Sequence, residues 1–197
     1  MMRQAWRRTA PFFWAAAAVF VLGLIFGVLL PRFSESVNQV ALATVFDRFA
    51  PLIERFNRIS LTGRILMIFW QNFRAGLIIC LSGLVFVAPA MILFGNGFVV
   101  GLVDANQYLK GTLTLGQSIM GLLPHGIFEL PAFFLLGAVG IRCSWSLWRR
   151  LLGSGSSEAL EETAVEGGKL AVIAAGLLIV AALMEVLVTP LFLRAIG

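Results

Sequence analysis

Phe12-Phe13-Trp14-Ala15-Ala16-Ala17-Ala18-Val19-Phe20-Val21-Leu22-Gly23-Leu24-Ile25-Phe26-Gly27-Val28-Leu29-Leu30 is an apolar run without a charged or amide side chain. It is close to the ~20 residues that carry a helix across bilayer hydrocarbon. Arg3, Arg7 and Arg8 precede it, which puts the N-terminus on the cytoplasmic side. A basic head and apolar core also begin a secretory signal. This run is long for that role and lacks a small-x-small cleavage pattern before Pro31. Residues 12–30 therefore read as an uncleaved first span. Gly23 and Gly27 form a small-xxx-small pair suited to close helix packing.

The rest of the chain has the same character. It is 59% hydrophobic and 13% charged, against roughly 45–50% and 25% in soluble domains. Its mean hydropathy is +0.93. The net charge of +5 comes mostly from arginines at the ends of apolar runs. Such a distribution orients and anchors spans, and it leaves no basic face for nucleic acid. Cys80 and Cys143 both lie in apolar segments and read as buried thiols, without the near neighbours of a metal motif.

Residues 34–60 alternate differently. Val37, Val40, Ala41, Val45, Phe49, Leu52, Ile53, Phe56 and Ile59 recur at three- and four-residue steps, with charged residues opposite. The pattern predicts an amphipathic interfacial helix on the outer side, bent or broken near Pro51. Trp70, Gln71, Asn72 and Arg74 interrupt the next apolar block. An interfacial segment is expected at 61–71 and the second span at 72–94, ending at the turn signal Gly95-Asn96-Gly97. Residues 97–123 carry Asp104, Asn106, Gln107, Lys110 and Gly111, and read as a broken third span or a re-entrant pair of half-helices. Pro124 suits the first position of a fourth span, 124–148, which closes on Trp145, Trp148, Arg149 and Arg150. A Gly/Ser-rich and then acidic cytoplasmic linker is expected at 151–168, and the last span at 169–193.

Arg149 and Arg150 belong inside with the N-terminus, so an even number of crossings separates them. Residues 97–123 must then cross. The expected fold is one all-α integral membrane domain of about five transmembrane helices, with an external amphipathic helix and an external C-terminus.

The ionisable groups within this apolar sequence are the site candidates, because each is costly at depth unless it faces protein or water. His125, the only histidine, and Glu129 share one helix face at i, i+4. Glu185 in the last span, with Asn72 and Arg74 in the second, can reach the same layer. The five residues form either a structural polar knot or a proton or ion pathway. His125, Glu129 and Glu185 are also an alternative set of metal ligands. No catalytic triad or phosphate loop stands elsewhere.

Asn72, then Asn96-Gly97, then Pro124-His125-Gly126-x-x-Glu129-Leu130-Pro131, Gly137 and Gly140 resemble the stage II sporulation protein M family. The likeness covers about Leu61 to Gly197, with the upstream elements in the expected order. It implies a multi-span protein of the bacterial cytoplasmic membrane. In spore formers, members act in engulfment and anchor an amidase and a lytic transglycosylase at the septum. Asn96, Gly97, Pro124, His125, Gly126 and Glu129 come over as signature positions, and no catalytic residue does. The expectation is a non-enzymatic scaffold without cofactor. It sits in the lipid bilayer, with cell-wall hydrolases as partners and self-association an open alternative. A transporter or channel is the second reading and a metal-dependent intramembrane enzyme the third.

Overall fold

The computed structural model describes residues 2–85, 87–112 and 114–196, with the backbone alone at 115, 118–122, 125 and 193–196. The described residues are helical throughout apart from turns and caps. The helices are α1 (Met2–Phe33), α2 (Glu35–Arg58), α3 (Leu61–Leu81), α4 (Ala88–Leu109), α5 (Leu115–Leu151), α6 (Ser157–Leu183) and α7 (Thr189–Ile196). A 3₁₀ turn, Ser82–Leu84, closes α3, and a π-helical segment, Met184–Val188, joins α6 to α7. Five stretches are long and apolar enough to cross a bilayer: Met2–Phe33, Leu61–Leu84, Ala88–Leu109, Gly126–Leu151 and Ser157–Phe192. The five-span, all-α expectation holds.

Several boundaries differ from expectation. Residues 61–71 are not a separate interfacial segment, because α3 starts where the Ser60 side chain accepts from the Gly63 N–H. The helix break expected at Gly95–Gly97 lies ten residues earlier, before Ala88. Pro89 causes it: in the first turn of α4 its missing N–H costs nothing, whereas inside a helix it would break the ladder. The third span is then unbroken from Ala88 to Leu109. Its expected interruption is the turn after Lys110, where Gly111 takes a left-handed φ of +66°. Pro124 is not a first helical residue. Thr114 and Gln117 form a reciprocal capping box that starts α5 upstream of it, and the helix runs through both Pro124 and Pro131. Likewise α2 runs unbroken through Pro51. The expected linker at 151–168 shrinks to a short turn, because Ser156 caps α6 and its acidic residues become helical turns.

The α5 helix is the axis of the bundle. Half of its apolar span is buried, against 17% for the α3 span. Ala132, Leu135, Leu136 and Val139 of α5 pack with Leu170, Ala174 and Leu178 of α6. A second cluster joins Phe133 to Ala16 of α1, Ile79 of α3 and Leu93 of α4. The pairings fix direction. Thr9 meets Arg142 and Ala16 meets Gly137, so α1 and α5 are antiparallel. Gly76 meets Leu136 and Gly83 meets Gly140, so α3 and α5 are parallel. Consecutive spans therefore alternate in direction.

The tightest seam is between α1 and α4. A Cβ built on Gly23 would lie 2.1 Å from the Phe94 carbonyl oxygen, and one on Gly97 2.1 Å from that of Phe20. Gly27 faces Phe98, and Gly101 faces Leu24, equally closely. Two Gly-xxx-Gly pairs thus interlock within one chain. Small residues let the backbones touch where lipid supplies no hydrophobic drive for helix association.

Candidate functional site

Two polar layers cross the bundle. In the first, α3 supplies Asn72, α5 supplies Glu129 and the π segment supplies Glu185. Asn72 and Glu185 both lie beside the Glu129 carboxyl. Glu129 and Glu185 are half-buried. Pro190 explains the π segment. It has no N–H for the Val186 carbonyl, and its ring would clash there, so the ladder widens by one residue. The Thr189 N–H and its hydroxyl both return to the Met184 carbonyl, the hydroxyl at 3.3 Å. Widening the ladder changes which face Glu185 presents.

Of the five candidate residues, Asn72, Glu129 and Glu185 come together. Arg74 does not join them: two residues past Asn72 it points away from α5 and is exposed. The His125 backbone is helical within α5, and its side chain lies outside the described residues. Among the described residues, no three metal-binding side chains converge. Asn96 and Gly97 are both helical in α4, and Gly97 is a seam residue. Pro124 is buried and Gly126 half-buried in α5.

The second layer lies toward the N-terminus of α1 and went unread in the sequence. Arg142, only 8% exposed, donates to Glu166 at 2.6 Å and to the Thr9 hydroxyl at 3.0 Å. Arg8 pairs with Glu162 and approaches Glu166 at 3.7 Å. Ser146 and Thr163 add a hydroxyl pair at 3.2 Å. Here α1, α5 and α6 are tied together by charge-assisted bonds in a low-dielectric setting. The legible signal was Glu162 and Glu166 at i, i+4, which places both on one face once α6 is known to start at Ser157. Beside this layer a groove of about 370 Å³ opens between α1 and α6, lined by Gln4, Glu158, Glu161, Glu162, Glu166 and Lys169.

A third polar contact holds the amphipathic helix. Asn38 of α2 and Asn106 of α4 exchange amide hydrogen bonds of 3.0 and 2.9 Å, and Asn106 also donates to Leu102. Both are buried, 3% and 7% exposed. Val37, Val40, Phe46, Phe49 and Ile53 stay exposed on α2. At its far end Arg64 donates to the Phe56 carbonyl and stacks 5.0 Å over that ring. These contacts clamp α2 to the bundle, and apolar side chains on more than one side of it stay exposed.

The family model described as Stage II sporulation protein M matches residues 16–190. An uncharacterized protein of Methanocaldococcus jannaschii is 28% identical over 174 residues, which cover 87% of this chain and 90% of that protein. No solved structure matches.

Proposed function

The chain belongs to the stage II sporulation protein M family, and on that premise we propose that it is a non-enzymatic membrane scaffold that anchors cell-wall-remodelling hydrolases. The carrying observation is α2. It is held against the spans by the Asn38–Asn106 pair, yet it presents Val40, Phe49 and Ile53 uncovered. A clamped helix with exposed apolar side chains suits a docking surface, because little ordering entropy remains to oppose binding. The protein would sit in a bacterial cytoplasmic membrane, N-terminus inside and α2 outside. An amidase or a lytic transglycosylase is the partner class. Co-reconstitution with such hydrolases from the same cell should give a complex that Val40→Asp with Ile53→Asp weakens and His125→Ala leaves intact. A hydrolase that binds the double variant as well as the parent would sink this reading.

A second reading rests on Glu129 and Glu185, brought together with Asn72 beside a π-helical segment. Paired acids within a span mark ion and proton pathways, and π segments recur at functional sites. A transporter or channel would then move protons or cations through this layer. Proteoliposomes should show a flux that Glu185→Gln abolishes. Liposomes silent over a broad panel of solutes and ions would exclude it.

A further inference from the structure

Arg74 is the anomaly of the membrane-facing surface. It is exposed on α3, in the middle of the span Leu61–Leu84. Among the described residues the ion pairs involve Arg8, Arg58 and Arg142, and none involves Arg74. Its depth follows from its neighbours. Asn72 is beside Glu129, and Gly76 lies between Phe133 and Leu136, which sets Arg74 level with about residues 131–133 of α5. That is about 14–16 Å along α5 from Arg142, at a rise of 1.5 Å per residue. On α1 the charge-free stretch runs from Thr9 to Pro31, with Phe20 at its centre. Phe20 stacks on Phe134, close to the same level. With ~30 Å of hydrocarbon between the polar ends, Arg74 lies near the midplane.

A cation there cannot be left to acyl chains. Its neighbours on the same face are apolar and exposed: Leu66, Trp70, Leu77, Ile78 and Leu81. Either headgroup layer is farther from its Cα than the side chain extends. We propose that this face of α3 is a seam for a transmembrane helix of another protein that carries a carboxylate near its own midplane. Charge complementarity selects the occupant. An acid on a neighbouring span satisfies the guanidinium with bidentate bonds, and the apolar stripe packs around that pair. The seam is the kind of in-membrane contact an anchoring scaffold needs. It does not depend on which soluble domains, if any, the partner carries.

The test uses the purified full chain in phosphatidylcholine vesicles, with a synthetic polyleucine transmembrane peptide bearing a single central Glu as probe. Matched peptides carry Gln or Lys. Association is read by energy transfer between labelled protein and peptide. The Glu peptide should bind about 5- to 30-fold more tightly than the Gln peptide, the range expected for one interhelical polar contact. Arg74→Gln should erase that preference, and Arg74→Glu should transfer it to the Lys peptide. The charge reversal keeps the test decisive if one variant folds poorly. Equal binding of Glu and Gln peptides to the parent protein would overturn the proposal. So would Arg74-dependent self-association without peptide binding, which makes the occupant a second copy. Arg74-dependent enrichment of phosphatidylglycerol in place of peptide binding would assign the charge to lipid and overturn it too. Because hydrolases are absent from this assay, its failure and that of the α2 docking reading are distinguishable.

Discussion

Gly97→Ala should destabilise the protein while Gly95→Ala, two residues away on the same helix, should not. A Cβ at position 97 would sit 2.1 Å from the Phe20 carbonyl oxygen and 3.0 Å from the Leu24 amide nitrogen. Carbon atoms rest about 3.5–4.0 Å from their non-bonded neighbours, so α1 must withdraw by more than ~1 Å at that point. The obstacle is backbone and cannot rotate aside as a side chain would. A gap of 0.5–1 Å forfeits about a quarter to a half of each dispersion contact along the seam. Overpacking of this kind costs about 1–3 kcal/mol, against which alanine's better helix propensity returns up to ~1 kcal/mol. At Gly95 nothing lies within 4 Å, so only the propensity gain remains. The propensity gain is common to both, so the two variants should differ by about 1–3 kcal/mol, the overpacking cost. Reversible unfolding in mixed detergent micelles, or steric trapping in bicelles, measures this. Equal stability of the two variants would refute the close α1–α4 approach and the reading of this signature glycine as a packing residue.

Other perturbations probe the polar layers. Arg142→Met leaves Glu166, 13% exposed, with only the 3.7 Å approach of Arg8, and should cost less than the about 3–5 kcal/mol of a fully stranded charge, while Arg142→Met with Glu166→Leu should recover most of it. Melting temperatures in detergent decide this, and a double variant as weak as the single would count against the pair. Asn38→Ala or Asn106→Ala leaves one buried amide unpaired, at about 1–3 kcal/mol. The effect should be local, read as faster amide exchange in α2 with the spans unchanged. Pro190→Ala restores the missing N–H and should return the π segment to α-helix, turning Glu185 by about 100°. Cross-linking between cysteines placed at 129 and 185 should then fall.

The spans were legible because lipid makes one demand that composition answers directly: long runs without charge. Helix ends were less so, for a specific reason. Gly95, Gly97 and Gly101 look like turn residues in one dimension and act as packing residues in three, since only the seam with α1 shows what their missing Cβ admits. Pro89 and Pro124 play opposite parts. The first starts a helix, and the second lies inside one whose start had already been set by Thr114 and Gln117. That capping box is readable in the sequence as Thr-x-x-Gln. Among the charges, Glu129 and Glu185 were placed in one layer from depth alone, which helix rise makes computable. Arg74 was placed with them by depth and excluded by azimuth, which depends on where α3 packs.

The polar groups also constrain what the signature Pro-His-Gly-x-x-Glu can be doing. A scaffold needs its spans held in register, and in this chain the layer of Arg8, Thr9, Arg142, Glu162 and Glu166 already ties α1, α5 and α6 together. The interlocked glycines hold α4 to α1, and the paired asparagines hold α2 to α4. Glu129 with Asn72 supplies the corresponding tie between α5 and α3. One amide would satisfy that purpose, so Glu185 is an addition that a purely structural knot does not require. Two acids brought close inside a span raise the energy of the folded state unless one is neutral or a cation stands between them. Pro190 enforces the widened turn in which the second acid sits. Exchange of a proton or cation at that layer is the second reading proposed above, and it gives the second acid a purpose that the scaffold reading leaves open. The flux measurement on Glu185→Gln therefore separates the two readings, because removing the second acid should stabilise a scaffold and silence a transporter.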